Sequence, residues 1–284
     1  MRMSSAICDA HVHVFDPGRF PYVTPRRFTP GVASAEDLKR HIRKLGLSRV
    51  VLVQPSVYGD NNECLLNALK ELPGIAGGVV VISSATPSRK INEMHQMGVR
   101  GARLNLVVDH VQDPEVAIHR FRELDSIIPD TWHIQLHISL EVLGYLFDRI
   151  DCSRRTFVLD HMGLPDVARG VQSPAWQNLL RLVSAGNLFV KLSAPYLSSG
   201  TGMPYPDLVP FIKSLMRIRP DRMLWGSNWP HTQGTQRSVH AAAESIEAFR
   251  EVDDMPWLQL CSSVAGPSSL ALLDENARRV YNFI

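Results

Sequence analysis

Two histidines near the start of the chain stand two residues apart, in the segment Asp9-Ala-His11-Val-His13. If this segment is a β-strand, both imidazoles point to the same face, because side chains alternate along a strand. Two imidazoles on one face can bind a metal ion or hold the carbonyl group of a substrate. The spacing predicts a functional site, and other segments must decide between these two kinds of chemistry.

Further side chains with catalytic chemistry follow other apolar segments. His161 comes directly after Asp160, where an imidazole can act as an electrophile or as an acid–base group near a carbonyl. Asn228 ends the last apolar segment and could hold a nucleophile by hydrogen bonding. We therefore predict that His11, His13, His161 and Asn228 are catalytic. The residues predicted to contact the substrate stand at similar positions: Gln54, Ser56, Arg103, His137, Lys191, Tyr196 and His231.

Three basic residues inside apolar segments are predicted to differ in role. Arg103 lies deep in its segment, which predicts that it faces the interior and fixes an anion or a polarised oxygen. Arg100 stands at the start of the same segment, and we predict a structural ion pair for it. Lys191 interrupts the segment Phe189-Val-Lys-Leu, and an interior position would explain it.

Eight short apolar segments recur along the chain, and they are the elements that would position these side chains. They span residues 6–13, 49–55, 78–83, 101–107, 132–138, 156–162, 188–194 and 223–229. Several lack alternation, as expected of parallel strands that are covered on both faces. Amphipathic stretches lie between them, and the first has a capping residue, Ser34, before it and Gly46 after it.

This repeated strand–helix pattern predicts an α/β protein with a single (β/α)8 TIM barrel over residues 1–284. In such a barrel the active site lies at the carboxyl ends of the strands, where the candidate side chains stand. The competing architecture is a doubly wound open sheet. It is disfavoured because no Gly-x-Gly-x-x-Gly motif follows any early strand.

Composition excludes several other classes of protein. The chain has 284 residues, of which 45% are hydrophobic, and 30 Lys and Arg nearly balance 28 Asp and Glu. This balance predicts no nucleic-acid partner, and no apolar run approaches the roughly 20 residues that span a membrane. We expect a cytoplasmic protein with a small-molecule substrate, no signal peptide and four free cysteines. The oligomeric state is not indicated.

Three motifs together resemble the amidohydrolase superfamily: Asp9-Ala-His-Val-His, Asp160-His-Met-Gly-Leu-Pro-Asp and Trp225-Gly-Ser-Asn-Trp-Pro-His. With Val53-Gln-Pro-Ser and Gly98-Val-Arg-Gly-Ala-Arg-Leu-Asn, the chain is similar to the branch of 2-pyrone-4,6-dicarboxylate lactonases and sugar-acid lactonases. The resemblance implies a hydrolase that opens a lactone without a tightly bound metal.

The resemblance also implies roles for individual residues. His11, His13 and His161 would orient and polarise the substrate carbonyl, and Arg103 would hold a carboxylate. The branch has an aspartate at the end of strand eight, which takes a proton from water, whereas this chain has Asn228. An amide is not a base, so a neutral histidine would have to accept the proton.

There is a second departure. The branch has a dicarboxylate-binding arginine after strand seven, whereas this chain has Tyr196 there. Both departures favour an uncharged or monocarboxylate lactone over the pyrone dicarboxylate. An asparagine at position 228 is also similar to the lactone isomerases of the branch, in which a substrate hydroxyl replaces water as the nucleophile.

Three alternatives to lactone hydrolysis stay open. The first is lactone isomerisation by intramolecular acyl transfer. The second is a zinc-dependent hydrolase or decarboxylase with His11, His13 and His137 as ligands of Zn²⁺. The third is a barrel that binds a ligand without catalysis. Its one argument is that Asn228 stands where the branch has its catalytic base. Substrate choice is expected to lie in the loops of residues 16–30, 197–206 and 232–238.

Overall fold

The computed structural model describes residues 6–233 and 245–283, so that residues 234–238 of the last predicted substrate loop lie outside it. Eight parallel strands form one sheet in chain order: β1 (Cys8–Val12), β2 (Arg49–Val53), β3 (Ala76–Val80), β4 (Val99–Asn105), β5 (His133–His137), β6 (Phe157–Leu159), β7 (Leu188–Leu192) and β8 (Met223–Trp225). Each lies within or overlaps a predicted apolar segment. A separate short pair joins Thr29–Pro30 to Ile246–Glu247.

The sheet closes on itself between its first and last strands. Val12 forms a parallel bridge with Trp229, and the backbone N–H of His13 donates to the carbonyl of Trp229 at 2.8 Å. The N–H of Asn228 donates to the carbonyl of His11 at 2.9 Å. An open sheet would leave β1 and β8 at separate edges. The closure confirms the predicted barrel and brings the β1 histidines beside Asn228.

Helices follow the strands and cover the outside of the barrel, except the last, which packs against the apolar layer at its lower end. They are α1 (Ala35–Leu45), α2 (Glu63–Glu71), α3 (Ser88–Gln96), α4 (Pro114–Ile127), α5 (Leu140–Phe147), α6 (Pro174–Ala185), α7 (Val209–Ile218), α8 (Asp254–Ala265) and α9 (Asn276–Tyr281). The predicted caps of α1 are confirmed, because the Ser34 side chain accepts from the N–H of Asp37 and Gly46 adopts φ +66°. A capping residue of this kind contributes about 1 kcal/mol.

An apolar layer fills the lower part of the barrel. Residues from six strands and α9 pack in one cluster, and side chains from so many strands can meet only inside the barrel: Cys8, Ala10, Val51, Val53, Val79, Val158, Phe189, Leu224, Ala277 and Tyr281. The ring of Tyr281 contacts His133 edge-on, with centroids 5.1 Å apart. The layer above it is charged, as described below. All four cysteines are free, as predicted.

Candidate active site

A buried carboxylate, Asp160, organises a charged layer inside the barrel. Arg103 Nε donates to its Oδ2 at 2.9 Å, and Gln135 Nε2 donates to the same oxygen at 3.2 Å. Lys191 Nζ lies 3.5 Å from Oδ1 and donates to Gln135 Oε1 at 2.7 Å. Burial alone would raise the pKa of Asp160, but His11, Arg103 and Lys191 outweigh it and hold the pKa well below its usual value. Asp160 is therefore ionised.

Lys191 belongs to this layer and is fully buried. Burial lowers the pKa of its ammonium to about 8, against the attraction of Asp160, which raises it. The lysine is therefore still charged at neutral pH. One negative and two positive charges thus share the interior, with hydrogen bonds to neighbouring amides that offset part of the cost of desolvation.

The two histidines of β1 lie on one side, as predicted, with their Nε2 atoms 3.2 Å apart. His13 Nδ1 lies 2.7 Å from the carbonyl oxygen of Val53. A carbonyl only accepts, so His13 carries its proton on Nδ1 and turns the lone pair of Nε2 towards His11. His11 Nδ1 lies 3.3 Å from Lys191 Nζ and 3.2 Å from Asp160 Oδ1.

Two tautomers of His11 are compatible with these contacts. In the first, Nδ1 accepts from the ammonium of Lys191, and the N–H at Nε2 donates to His13. In the second, the N–H at Nδ1 donates to Asp160, and two lone pairs face each other across 3.2 Å. Each tautomer gives every N–H an acceptor and brings one pair of acceptor atoms together: Nδ1 and Asp160 Oδ1 at 3.2 Å in the first, the two Nε2 atoms in the second.

Burial keeps both imidazoles neutral. It lowers the pKa of His13 to about 4, with a further decrease from Arg103. It also lowers the pKa of His11 well below its usual value, and the charge of Lys191 adds to this decrease. The two rings therefore add no charge beside the cavity.

His161 follows β6 in a conformation that non-glycine residues rarely adopt, with φ +54°. Ala194 after β7 and Asn228 after β8 also have positive φ, at +48° and +69°. Such strained positions occur most often at functional sites. The His161 ring lies 4.6 Å from that of His11, its Nδ1 is 2.8 Å from Ser193 Oγ, and burial lowers its pKa well below the usual value.

His137 lines the cavity and has a buried ring nitrogen without a hydrogen bond to the described residues. Its Nδ1 lies 3.0 Å from Asn105 Oδ1, an oxygen that also accepts from the N–H of Val108 at 3.2 Å. The proton is therefore on Nδ1, and Nε2 is buried with no partner in the part of the chain that the structure describes. Burial lowers the pKa of His137 to about 3, so the lone pair is free at neutral pH.

A cavity opens at the carboxyl ends of the strands, between these imidazoles and the loops above them. Its polar wall consists of His13, Ser56, Arg103, Asn105, His137, His161, Asn228 and Thr232, and its apolar wall of Phe15, Phe28, Pro55, Val108 and Leu197. Among these described residues Arg103 is the one charged side chain, because the three histidines are neutral. The cavity suits a small molecule with polar and apolar faces.

The predicted site residues divide between the cavity and the layers around it. Six line it: His13, Ser56, Arg103, His137, His161 and Asn228. The other five lie behind or beneath its wall: His11, Gln54, Lys191, Tyr196 and His231. The structure thus brings all eleven into one region, but it gives the second group no cavity surface.

All five residues are predicted to act on the substrate, His11 on its carbonyl group, and in the structure they contact residues of the wall or of the charged layer. Gln54 donates to the carbonyls of Gly59 and Asn61 and so fixes the loop after β2. Lys191 stands one layer below the cavity, beside Gln135. Tyr196 and His231 lie behind Asn228.

The reason for the difference is depth along the strands. His133, Gln135 and His137 share one face of β5, and each step of two residues is about 6.6 Å along a strand. His133 contacts the apolar layer, Gln135 the charged layer and His137 the cavity. Spacing in the sequence predicts the face of a side chain but not which layer it reaches.

Some residues of the site were not predicted. Asn105, Gln135 and Ser193 each stand two residues from a predicted one, on the same strand face, and this periodicity could have identified them. Asp160 was placed in a motif but given no role. Asp254 begins α8 and carries no sequence signal of its contact with His231.

Arg100 does not form the ion pair that was predicted for it. It donates to the backbone carbonyls of His95 and Val99, both at 2.8 Å, instead of forming an ion pair within the described part of the chain. Its guanidinium lies at the lower end of β4, outside the cavity. Its role is structural, but its partners are carbonyl groups.

The donor atoms best placed for a cation are not those of the predicted zinc triad. In the described residues, His11, Asp160 and His161 form a group whose donor atoms lie within 4.8 Å of one another. His13 and His137 are not members of that group. The second tautomer of His11 would be required to free a lone pair at Nε2 for a metal.

Comparisons with known proteins extend over nearly the whole chain. The family model described as Amidohydrolase matches residues 8–283. A 2-pyrone-4,6-dicarboxylate hydrolase of Comamonas testosteroni is 34% identical over 243 residues, which are 81% of this chain and 78% of that protein. A 4-sulfomuconolactone hydrolase of Rhizobium radiobacter is 32% identical over 231 residues, 79% of this chain and 75% of that protein.

A solved structure has the same fold. The putative 2-pyrone-4,6-dicarboxylic acid hydrolase from Pseudomonas putida superposes with a TM-score of 0.81 and 30% sequence identity, and the match covers 99% of each chain. Within the described residues, no helix combines the length and the apolar character needed to cross a bilayer.

Proposed function

The chain belongs to the amidohydrolase family, and we propose that it is a lactone hydrolase, an enzyme that opens a cyclic ester with water. The observation that carries this proposal is the convergence of His13, His161, Arg103 and Asn228 on one cavity at the carboxyl ends of the strands. The two relatives support it, because a 2-pyrone and a sulfomuconolactone are both cyclic esters. We further propose that residues 1–284 form one domain, which the family match over residues 8–283 supports.

The side chains divide the chemistry between them. His161, with Ser193 at its Nδ1, can present an N–H at Nε2 to the ester carbonyl, and Arg103 stabilises the oxyanion that forms when water attacks. His11 and His13 hold the wall beside it with both rings neutral. Asn228 orients the nucleophile, as an amide can accept a hydrogen bond without taking the proton.

The proton of water needs an acceptor, and we assign that role to the neutral ring of His137. Its Nε2 has no hydrogen-bond partner among the described residues, its ring lines the cavity, and Asn105 holds its Nδ1–H. Water oxygen bonds to the carbonyl carbon, one proton passes to His137, and the ring C–O bond breaks. His137 then returns the proton to the leaving alkoxide, which completes the balance.

The substrate class follows from the charge of the cavity wall. Arg103 supplies one positive charge, already shared with Asp160, and the other described lining residues are neutral. We propose a neutral or monocarboxylate lactone. A dicarboxylate such as that in the name of the 34% identical relative would leave its second carboxylate without a cationic partner among the described wall residues.

We propose that the reaction does not require a bound metal ion. Asp160, the carboxylate of the His11–Asp160–His161 group, already pairs with Arg103 and Lys191, and a divalent cation would add charge beside two cations. Elemental analysis of active protein purified without added metal tests this point, and activity proportional to zinc content would contradict it.

The function itself is tested with a panel of 1,4- and 1,5-lactones of aldonic and aldaric acids. Release of titratable acid, followed in a pH-stat, is the expected result. A change of ring size without acid, followed by NMR, would mean isomerisation instead. Saturable binding with no turnover of any lactone would mean a non-catalytic binding protein.

We expect activity to persist well below the ordinary pKa of histidine. Since burial lowers the pKa of His13 to about 4, the ring stays neutral until the pH approaches that value. The unfolded chain, with a histidine pKa near 6.5, takes up protons earlier, so stability also decreases as the pH falls from about 6.5 through 4. Initial rates from pH 4 to 8, with circular dichroism at each pH, would measure this. An acid limb near pH 6.5 in folded protein would contradict it.

Replacing Arg103 with methionine should reduce kcat/KM far more than replacing Arg100. Arg103→Met removes a charge-assisted contact in the cavity wall, worth on the order of 2–3 kcal/mol. Arg100→Met removes bonds to carbonyl groups at the lower end of β4 and should change kcat/KM little. Steady-state kinetics of the two purified variants provide the comparison. Equal losses would show that Arg103 does not act on the substrate.

A further inference from the structure

A buried chain of polar side chains leads away from the cavity behind Asn228. Asn228 Nδ2 donates to the hydroxyl of Tyr196 at 2.8 Å, and that oxygen lies 3.5 Å from His231 Nδ1. His231 Nε2 in turn lies 3.1 Å from Asp254 Oδ2. All four side chains are at least nine-tenths buried, and they come from the ends of β7 and β8 and the start of α8. The catalytic steps above use only Asn228.

The carboxylate of Asp254, which is furthest from the cavity, determines the direction of the hydrogen bonds among these side chains. Asp254 only accepts, so a neutral His231 carries its N–H on Nε2 and a lone pair on Nδ1. The hydroxyl of Tyr196 can then donate to Nδ1, and its oxygen accepts from the Nδ2 of Asn228. That contact leaves the Oδ1 of Asn228 on the cavity side, where it is buried and has no partner in the described protein.

We propose that Asp254, His231 and Tyr196 are positioning residues that hold the Asn228 amide with its oxygen towards the cavity. The group bound opposite this oxygen must then be an O–H donor, which is either water or a hydroxyl of the substrate. This inference rests on the proposed function and adds to it, because it requires the nucleophile to donate a hydrogen bond to Asn228. It also gives a role to Tyr196 and His231, which do not line the cavity.

Hydrogen bonds that ran in the opposite direction along these side chains would place a different atom of Asn228 at the cavity. If His231 donated from Nδ1, Tyr196 would accept from it and donate to the oxygen of Asn228. The Nδ2 of Asn228 would then face the cavity and would bind a carbonyl or carboxylate oxygen. If Oδ1 of Asn228 faces the cavity, the residue orients the nucleophile. If Nδ2 faces it, the residue binds the ester oxygen.

The kinetic test is a double-mutant cycle between Tyr196 and Asn228. Tyr196→Phe should lower kcat by about 5–10-fold with little change in KM, because one positioning hydrogen bond is lost and the cavity wall is kept. In an Asn228→Ala background the same substitution should have no further effect, since Tyr196 acts through Asn228. The matched control is Tyr145→Phe, which removes a tyrosine hydroxyl bonded to Glu115 on the surface. An equal loss in both backgrounds would overturn the proposal.

A second measurement separates failure of this inference from failure of the lactone hydrolase proposal. The side-chain ¹H–¹⁵N resonances of Asn228 can be assigned by their absence in Asn228→Ala. Tyr196→Phe and His231→Phe should each shift them and increase their exchange with water, whatever the substrate is. Unchanged resonances in both variants would overturn the positioning role. If they shift but no lactone is turned over, the function is wrong and the positioning role stands.

Discussion

Replacement of Asp160 with asparagine is expected to destabilise the folded barrel by about 3–5 kcal/mol, the size observed when one partner of a buried ion pair is removed. Arg103 and Lys191 would then share the interior with no carboxylate between them. Asparagine has nearly the same shape as aspartate, so the loss of stability reports the removed charge and not a change in packing. Equilibrium unfolding in guanidinium chloride at pH 7 measures it.

The matched control is Asp166→Asn, which removes a carboxylate from an exposed ion pair with Arg169. Exposed pairs contribute about 0–1 kcal/mol, so the control should change stability little. Similar losses for the two variants would show that the buried layer does not depend on its negative charge.

The pH dependence of this loss has a definite sign. Because His11, Arg103 and Lys191 hold the pKa of Asp160 well below its usual value, the unfolded chain binds the proton more readily than the folded one. The carboxylate therefore stabilises the fold fully above the unfolded pKa of about 3.9, and the contribution decreases as the pH falls below it. The difference between wild type and Asp160→Asn should accordingly shrink in acid.

Activity should fall with the same substitution even where the protein remains folded. Asp160 holds the Nε of Arg103, and it lies 3.2 Å from His11 Nδ1. An amide at this position would leave both groups free to change their hydrogen bonds. We expect a decrease in kcat beyond that of Arg103→Met, measured under conditions where circular dichroism shows a folded barrel.

The architecture could be predicted from the sequence because it repeats. Each strand is an apolar segment of about the same length, and Ser34 and Gly46 mark the ends of a helix by a local rule. Closure between β1 and β8 then follows from the number of units. The histidines of β1 were predicted correctly as a pair for the same reason, since alternation along a strand is a local property.

The layering of the site could not be predicted, because it depends on the tilt and stagger of strands that are distant in sequence. Lys191 and His137 both interrupt apolar strands, yet one lies in the charged layer and the other in the cavity wall. Asp254 is further removed, because it reaches His231 only through the packing of α8 against the end of β8. Local rules predict which face a residue takes, and packing determines what it touches.

Replacement of Asn228 with aspartate is expected to increase lactone hydrolysis, on the order of 10²-fold, because it adds a base where the wild type has an amide. A general base contributes about 10²–10⁴-fold, and the lower end applies here because His137 already accepts the proton. Asn228→Ala should lower the rate by about 10²-fold, since it removes the oriented oxygen without replacing it. Initial rates of the three proteins on one lactone provide the comparison.

The pH profile identifies the source of the increase. A carboxylate at this buried position, 4% exposed in the wild type, has its pKa raised by desolvation, whereas Arg103 in the same wall acts in the opposite direction. The new activity should therefore fall as the pH drops through the pKa of that carboxylate, and wild-type activity should lack this limb. A variant that is folded, binds the lactone and hydrolyses it no faster than wild type would show that the nucleophile does not lie beside Asn228. The amide oxygen turned towards the cavity would then bind the substrate and would have no part in attack on the ester.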